Sequence, residues 1–181
     1  MKPYKVINNF LEENYFKQLQ NTFTNNDFPW HYQPRSGDMP DAFDFDFMFT
    51  HNFYHFKYGV RSNLFELLQP LIIKTGIITG KSILMRAKAN LYTNQAENIV
   101  HQKHTDYPAE TDYKTAVFNF TTCNGGTIFY IDGKEEFVES VENSIVVFDG
   151  PTDHAGVTQT NSNIRVLLNM DFNEGDFIGR Y

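Results

Sequence analysis

The segment His104-Thr105-Asp106, then His154 48 residues after the aspartate and Arg165 11 residues further on, holds the side chains best suited to chemistry. In an extended backbone, residues i and i+2 project to one side, so His104 and Asp106 can converge on one ion while Thr105 turns away. A histidine from a distant strand completes the set. Two imidazoles and one carboxylate can occupy one face of an octahedral Fe(II) ion and leave three positions open for reactants. The same donors can hold zinc with an activated water, which keeps a hydrolase as an alternative. Arg165 lies in the apolar run Ile164-Arg165-Val166-Leu167-Leu168-Asn169-Met170, where an unpaired guanidinium would be costly. An internal salt bridge would remove that cost. So would a bound carboxylate, which the planar fork of a guanidinium takes through two parallel hydrogen bonds.

His101 competes with His104 within the stretch HQKH, but the i+2 relation to Asp106 favours His104. His31, His51 and His55 stand in no comparable pattern. The formal charge of -7 argues against a surface that tracks phosphates, so nucleic acid is not an expected partner. Lys81, Arg86 and Lys88 form the one local basic group, on the strand that leads to the site.

Residues 81–172 carry, in order, RAKANLYTN, HQKHTD, FNFTTCNGGTIFY, SIVVFDG, DHAGV and IRVLLNMDF. With this set the chain resembles the Fe(II)/2-oxoglutarate-dependent oxygenase superfamily, most of all its compact prolyl-hydroxylase-type members, and its size is similar to oxygenases carried by bacteriophages. The resemblance implies that His104, Asp106 and His154 hold Fe(II) and that Arg165 clasps the C5 carboxylate of 2-oxoglutarate. Tyr92 resembles a family tyrosine that reaches the cosubstrate, although its 12-residue gap to His104 is longer than the family pattern. Asn169, on the Arg165 face, is a further cosubstrate contact, and Thr127 resembles a threonine that enters the barrel. The implied activity consumes dioxygen and 2-oxoglutarate, releases succinate and carbon dioxide, and hydroxylates an unactivated C–H bond. Peptidyl proline is the first candidate substrate, ahead of free amino acids, small metabolites and nucleobases. A metal-binding cupin or jelly-roll binding protein without catalysis is the other alternative.

Positioning such a site requires a β-rich scaffold. At 181 residues the chain fits one domain over 1–181, with helices and an aromatic loop in 1–80 and a barrel core in 81–172. With 18 Phe and 10 Tyr it can build a large core. Apolar residues at three- and four-residue steps predict a helix capped by Asn8 or Asn9, and another from Asn63 to about Ile73 that ends at Gly76. From Ser82 onward short strands alternate with turns at Asn124-Gly125-Gly126, Asp132-Gly133, Glu142-Asn143-Ser144 and Asn161-Ser162-Asn163. Helices followed by seven or eight strands predict a mainly β fold with flanking helices, a double-stranded β-helix of the jelly-roll, cupin-like type. From Ile83 to Tyr92 one parity is apolar and the other, Arg86, Lys88, Asn90 and Tyr92, turns polar towards the site. Residues 27–59, rich in aromatics and broken by prolines, predict an irregular loop and an edge strand through Phe43, Phe45, Phe47 and Phe49 that either covers the barrel or admits substrate. No apolar run approaches the roughly 20 residues that cross a bilayer, and the acidic, tyrosine-containing start lacks the apolar stretch of a signal peptide. The single cysteine, Cys123, suits a reducing compartment, so a cytoplasmic location is expected.

Overall fold

The computed structural model describes residues 2–34 and 46–174. The first part of the chain forms β1 (Tyr4–Ile7), α1 (Glu13–Phe23), β2 (His31–Gln33), β3 (Met48–His55), β4 (Gly59–Val60) and α2 (Gln69–Thr79). Then follow β5 (Ile83–Thr93), β6 (Tyr113–Asn119), β7 (Cys123–Ile131), β8 (Lys134–Ser140), β9 (Ser144–Asp149), β10 (His154–Val157) and β11 (Ile164–Asn173). An eight-stranded sheet runs β1-β9-β6-β11-β5-β3-β2, with β4 paired to β3, and a three-stranded sheet runs β10-β7-β8. The fold is mainly β with flanking helices, as expected of a jelly-roll. Strands from the first eighty residues are integral to it, because β1 and β3 pair directly with β9 and β5.

The central strands explain how one sheet serves both core and site. Side chains alternate across a strand. In β5, Ala87, Ala89 and Leu91 join the apolar cluster that includes Phe16, Leu19 and Phe23 of α1 and Leu71 of α2. In β11, Val166, Leu168 and Met170 face the same way. The opposite parity of both strands, Arg86, Lys88, Asn90 and Tyr92 with Arg165, Leu167 and Asn169, lines a cavity of about 610 Å³. Pairing of Arg165 with Tyr92 and Asn169 with Lys88 keeps the two rows in step. A smaller apolar cluster, with Phe129 of β7 against Phe148 and Leu167, ties the small sheet to the large one on the cavity side.

Local structure differs from expectation where a polar side chain intervenes. The first helix starts at Glu13, because the Glu12 carboxylate accepts hydrogen bonds from the backbone of Asn14 and Tyr15. Phe10 and Leu11 stay outside the helix, held by Asn143, which bonds both the N–H and the carbonyl of Leu11. The second helix runs past Gly76 to Gly80, whose φ of 68° provides the left-handed cap. Asn124-Gly125-Gly126 is no turn. It lies within β7 at a register shift, where a Cβ on Gly126 would come within 2.2 Å of the Val138 carbonyl. The predicted edge strand is an inner one: β3, with Phe49, is flanked by β5 and β2, while Phe47 precedes it and Phe43 and Phe45 lie outside the described residues.

His51 pins β3 to its surroundings. Its Nδ1–H donates to the Pro29 carbonyl at 3.0 Å and its Nε2 accepts from the Ser62 hydroxyl at 2.8 Å. Burial lowers its pKa, opposed by the Pro29 contact. Above the usual histidine value of about 6.5 it is neutral in both folded and unfolded chains, and its contribution is complete. As pH falls below that value the unfolded chain gains a proton that the fold resists, so stability declines until the lower folded pKa is reached. Urea unfolding between about pH 7 and pH 5 should show this decline, with a shallower slope in His51→Gln.

Candidate functional site

His104, Asp106 and His154 offer ligand atoms that all lie within 4.8 Å of one another. Contrary to the expected strand, His104 and Asp106 occupy a loop, which is held to β10 by one isolated bridge between Val100 and Val157 and another between His104 and His154. Reciprocal backbone bonds of 2.9 and 3.0 Å make the second bridge and bring the two imidazoles together. Each histidine also uses its Nδ1 locally, donating to the carbonyl two residues earlier: His104 to Gln102 at 2.9 Å and His154 to Thr152 at 3.0 Å. This places the proton on Nδ1 and leaves the Nε2 lone pair of both rings for an ion. The rings of Phe148 and Phe129 flank His154, and its burial lowers its pKa. It therefore stays neutral, as a ligand must.

Asp106 is divided between two tasks. Its Oδ1 accepts from the Arg86 guanidinium, while Oδ2 is buried, has no hydrogen-bond partner among the described residues and lies 3.8 Å from His154 Nε2. Burial alone would raise its pKa, but Arg86 and the two histidines outweigh that and hold the carboxyl well below the usual range. Arg86 Nε also lies 2.7 Å from Asp171 Oδ2, a close ion pair whose alignment falls short of a hydrogen bond. Asp171 is fully buried and accepts from Thr115 at 2.9 Å; burial, aided by neighbouring Asp106 and opposed by Arg86, pushes its pKa up to about 7. The sequence reading placed Arg86 near the site but missed this relay. Its signal was parity: Asp171 continues the row of Arg165, Leu167 and Asn169, and Arg86 that of Tyr92. Removing Arg86 (Arg86→Met) leaves two buried carboxylates side by side and should cost about 3–5 kcal/mol in metal-free protein. Metal should recover part of the loss, which urea unfolding with and without the ion would read.

At the other end of the cavity, Arg165 is 1% exposed. Among the described residues it meets no carboxylate: Nη1 donates to the Val157 carbonyl at 3.3 Å, Nε has no partner, and the guanidinium lies 5.5 Å from the centre of the Tyr92 ring. Burial lowers its pKa. The internal salt bridge that the sequence left open is thus missing among those residues, and a desolvated cation faces the cavity. Tyr92, Asn169 and Thr127 line the same space. So does His101. Lys81 is turned elsewhere, to Asp112 and Glu174 at 2.8 and 3.1 Å.

Structures already solved place this architecture. An oxidoreductase of the 2OG-Fe(II) oxygenase family from Burkholderia pseudomallei aligns with a TM-score of 0.72 at 11% identity, over 94% of this chain and 85% of its own. The fold is that of 2-oxoglutarate-Fe(II) oxygenases. A Pseudomonas putida prolyl-4-hydroxylase follows with a TM-score of 0.66 at 16% identity, over 96% and 93% of the two chains. The viral collagen prolyl hydroxylase of Paramecium Bursaria Chlorella virus-1, solved as a 2OG complex, gives 0.62 at 13% identity over 96% and 97%. No protein-family model and no curated protein matches the chain by sequence. Among the described residues, no helix is long and apolar enough to cross a membrane.

Proposed function

We propose that this protein is an Fe(II)- and 2-oxoglutarate-dependent dioxygenase that hydroxylates an unactivated C–H bond, with a prolyl residue as the first candidate substrate. The observation that carries the reading is a buried Arg165 that meets no carboxylate among the described residues, in the same cavity as three converging metal-type ligands. A metal hydrolase needs no such cation. A dicarboxylate cosubstrate does. The fold shared with solved oxygenases, prolyl hydroxylases among them, supports the assignment.

The residues fit the ion. His104 and His154 present Nε2 lone pairs, and Asp106 presents the one oxygen that Arg86 leaves free. When bound, Fe(II) would supply the redox chemistry by which dioxygen and 2-oxoglutarate yield succinate, carbon dioxide and hydroxylated product. Arg86 restrains the Asp106 carboxylate, so that one oxygen faces the ligand position. Arg165 receives the C5 carboxylate and so fixes the reach and orientation of the keto-acid end, with Tyr92 beside it and Asn169 further along the same face. Met48, Val117 and Leu167 give the cavity an apolar wall that limits water near the reacting groups. Residues 1–181 act in this reading as one domain, in a cytoplasmic, reducing setting consistent with the free thiol of Cys123. The primary substrate is a peptide or a small molecule.

The test is anaerobic reconstitution with Fe(II) and 2-oxoglutarate, then admission of dioxygen in the presence of prolyl peptides and a metabolite panel. Succinate release above the substrate-free level, matched by a product 16 Da heavier on the order of one oxygen atom, is the expected result. Succinate that never rises above that of metal-free protein would refute it.

A further inference from the structure

One buried group in the cavity has no part in the mechanism above. The His101 side chain is 1% exposed, and its Nδ1 is paired with the fully buried Asp46. Its backbone N–H donates to Gly156 at 2.9 Å and its ring lies 5.0 Å from that of Tyr92. Nε2 is buried and has no partner among the described residues, although the side chain lines the cavity. A buried polar atom without a partner, on a cavity-lining ring whose other nitrogen is fixed, needs a ligand to satisfy it. The charged and titratable groups around it are Asp46, Arg165 and His104, with Tyr92 at its face. Arg165 and His101 thus share the end of the cavity lined by Tyr92.

We propose that His101, oriented by Asp46, is a second contact for the C5 carboxylate of the cosubstrate, donating its Nε2–H to a carboxylate oxygen beside Arg165. This rests on the reading that 2-oxoglutarate binds with its C5 end at Arg165, and it adds a recognition residue to that site. Burial lowers the His101 pKa, opposed by the Asp46 contact, and the bound carboxylate supplies a further negative charge that favours the imidazolium. The proton that His101 needs enters with the anion. Asp46 makes this possible by accepting from Nδ1 and stabilising the imidazolium.

The experiment compares two keto acids by calorimetry on Mn(II)-loaded protein. 2-Oxoglutarate and 2-oxobutanoate share the keto-acid head, but only the first has the far carboxylate. His101→Gln should weaken 2-oxoglutarate binding about 10- to 100-fold, the range for losing a hydrogen bond to a charged group, and leave 2-oxobutanoate unchanged. Asp46→Asn should show the same selectivity with a smaller loss, and it carries the test if the first variant does not fold. Equal weakening of both acids, as a merely supporting ring would give, overturns the inference, and so does no weakening of either. Wild-type protein that takes up no 2-oxoglutarate overturns the parent reading and this one together.

Discussion

Exchanging Asp106 for alanine should abolish metal binding at the proposed site. The three ligands act as one set, and Asp106 brings its only negative charge, so the loss in affinity should exceed the roughly 10- to 100-fold typical of residues that merely support a ligand. His104→Ala and His154→Ala should behave alike. The fold should survive Asp106→Ala, because Arg86 keeps its ion pair with Asp171. Calorimetric titration with Fe(II) under anaerobic conditions reads the effect, with circular dichroism as the check on folding. Unchanged metal affinity in a folded variant would mean that these side chains converge for another reason, such as the His104–His154 bridge alone.

Arg165→Ala should act on the other reactant. Removing a bidentate cation from a dry site should weaken 2-oxoglutarate binding by about 2–5 kcal/mol. Metal affinity should stay close to wild type, since in the proposed binding mode the guanidinium meets the far carboxylate and not the ion. The variant also removes a costly buried charge. Its ligand-free stability should therefore hold or rise while its cosubstrate affinity collapses, a combination that a purely structural arginine would not produce. Titration showing intact 2-oxoglutarate affinity would reassign the residue. Arg86, the sequence's other candidate near the site, is already engaged by Asp106 and Asp171.

Strand parity made much of this legible. The two-residue alternation of Ile83–Thr93 and Ile164–Asn173 placed Arg165, Tyr92 and Asn169 on one surface, and the structure has all three lining one cavity. What parity could not supply was pairing between distant segments. The Arg86 link to Asp106 and Asp171 depends on the register between β5 and β11, which includes an irregularity at Asp171 and Phe172. Asp46 and His101 meet across 55 residues. His104 and Asp106 were read as strand residues because i+2 spacing suits a strand, yet a loop held to β10 by isolated bridges gives the same convergence. The start of the first helix was misplaced for a local reason, since an asparagine is the commoner cap but the Glu12 carboxylate was better placed to accept the free N–H groups. Gly125-Gly126 looked like a turn and proved to be a close approach, because glycine serves both uses and only the packed neighbour, Val138, distinguishes them.

The central claim is that one cavity takes a metal ion and a dicarboxylate together, and titration of 2-oxoglutarate into metal-free and Mn(II)-loaded protein tests it most directly. One molecule should bind per chain of loaded protein, with an affinity at least about 10-fold lower without metal, because the keto-acid end then loses its ion and only the Arg165 end is held. Equal affinity with and without the ion, or no binding to the loaded protein, would contradict it.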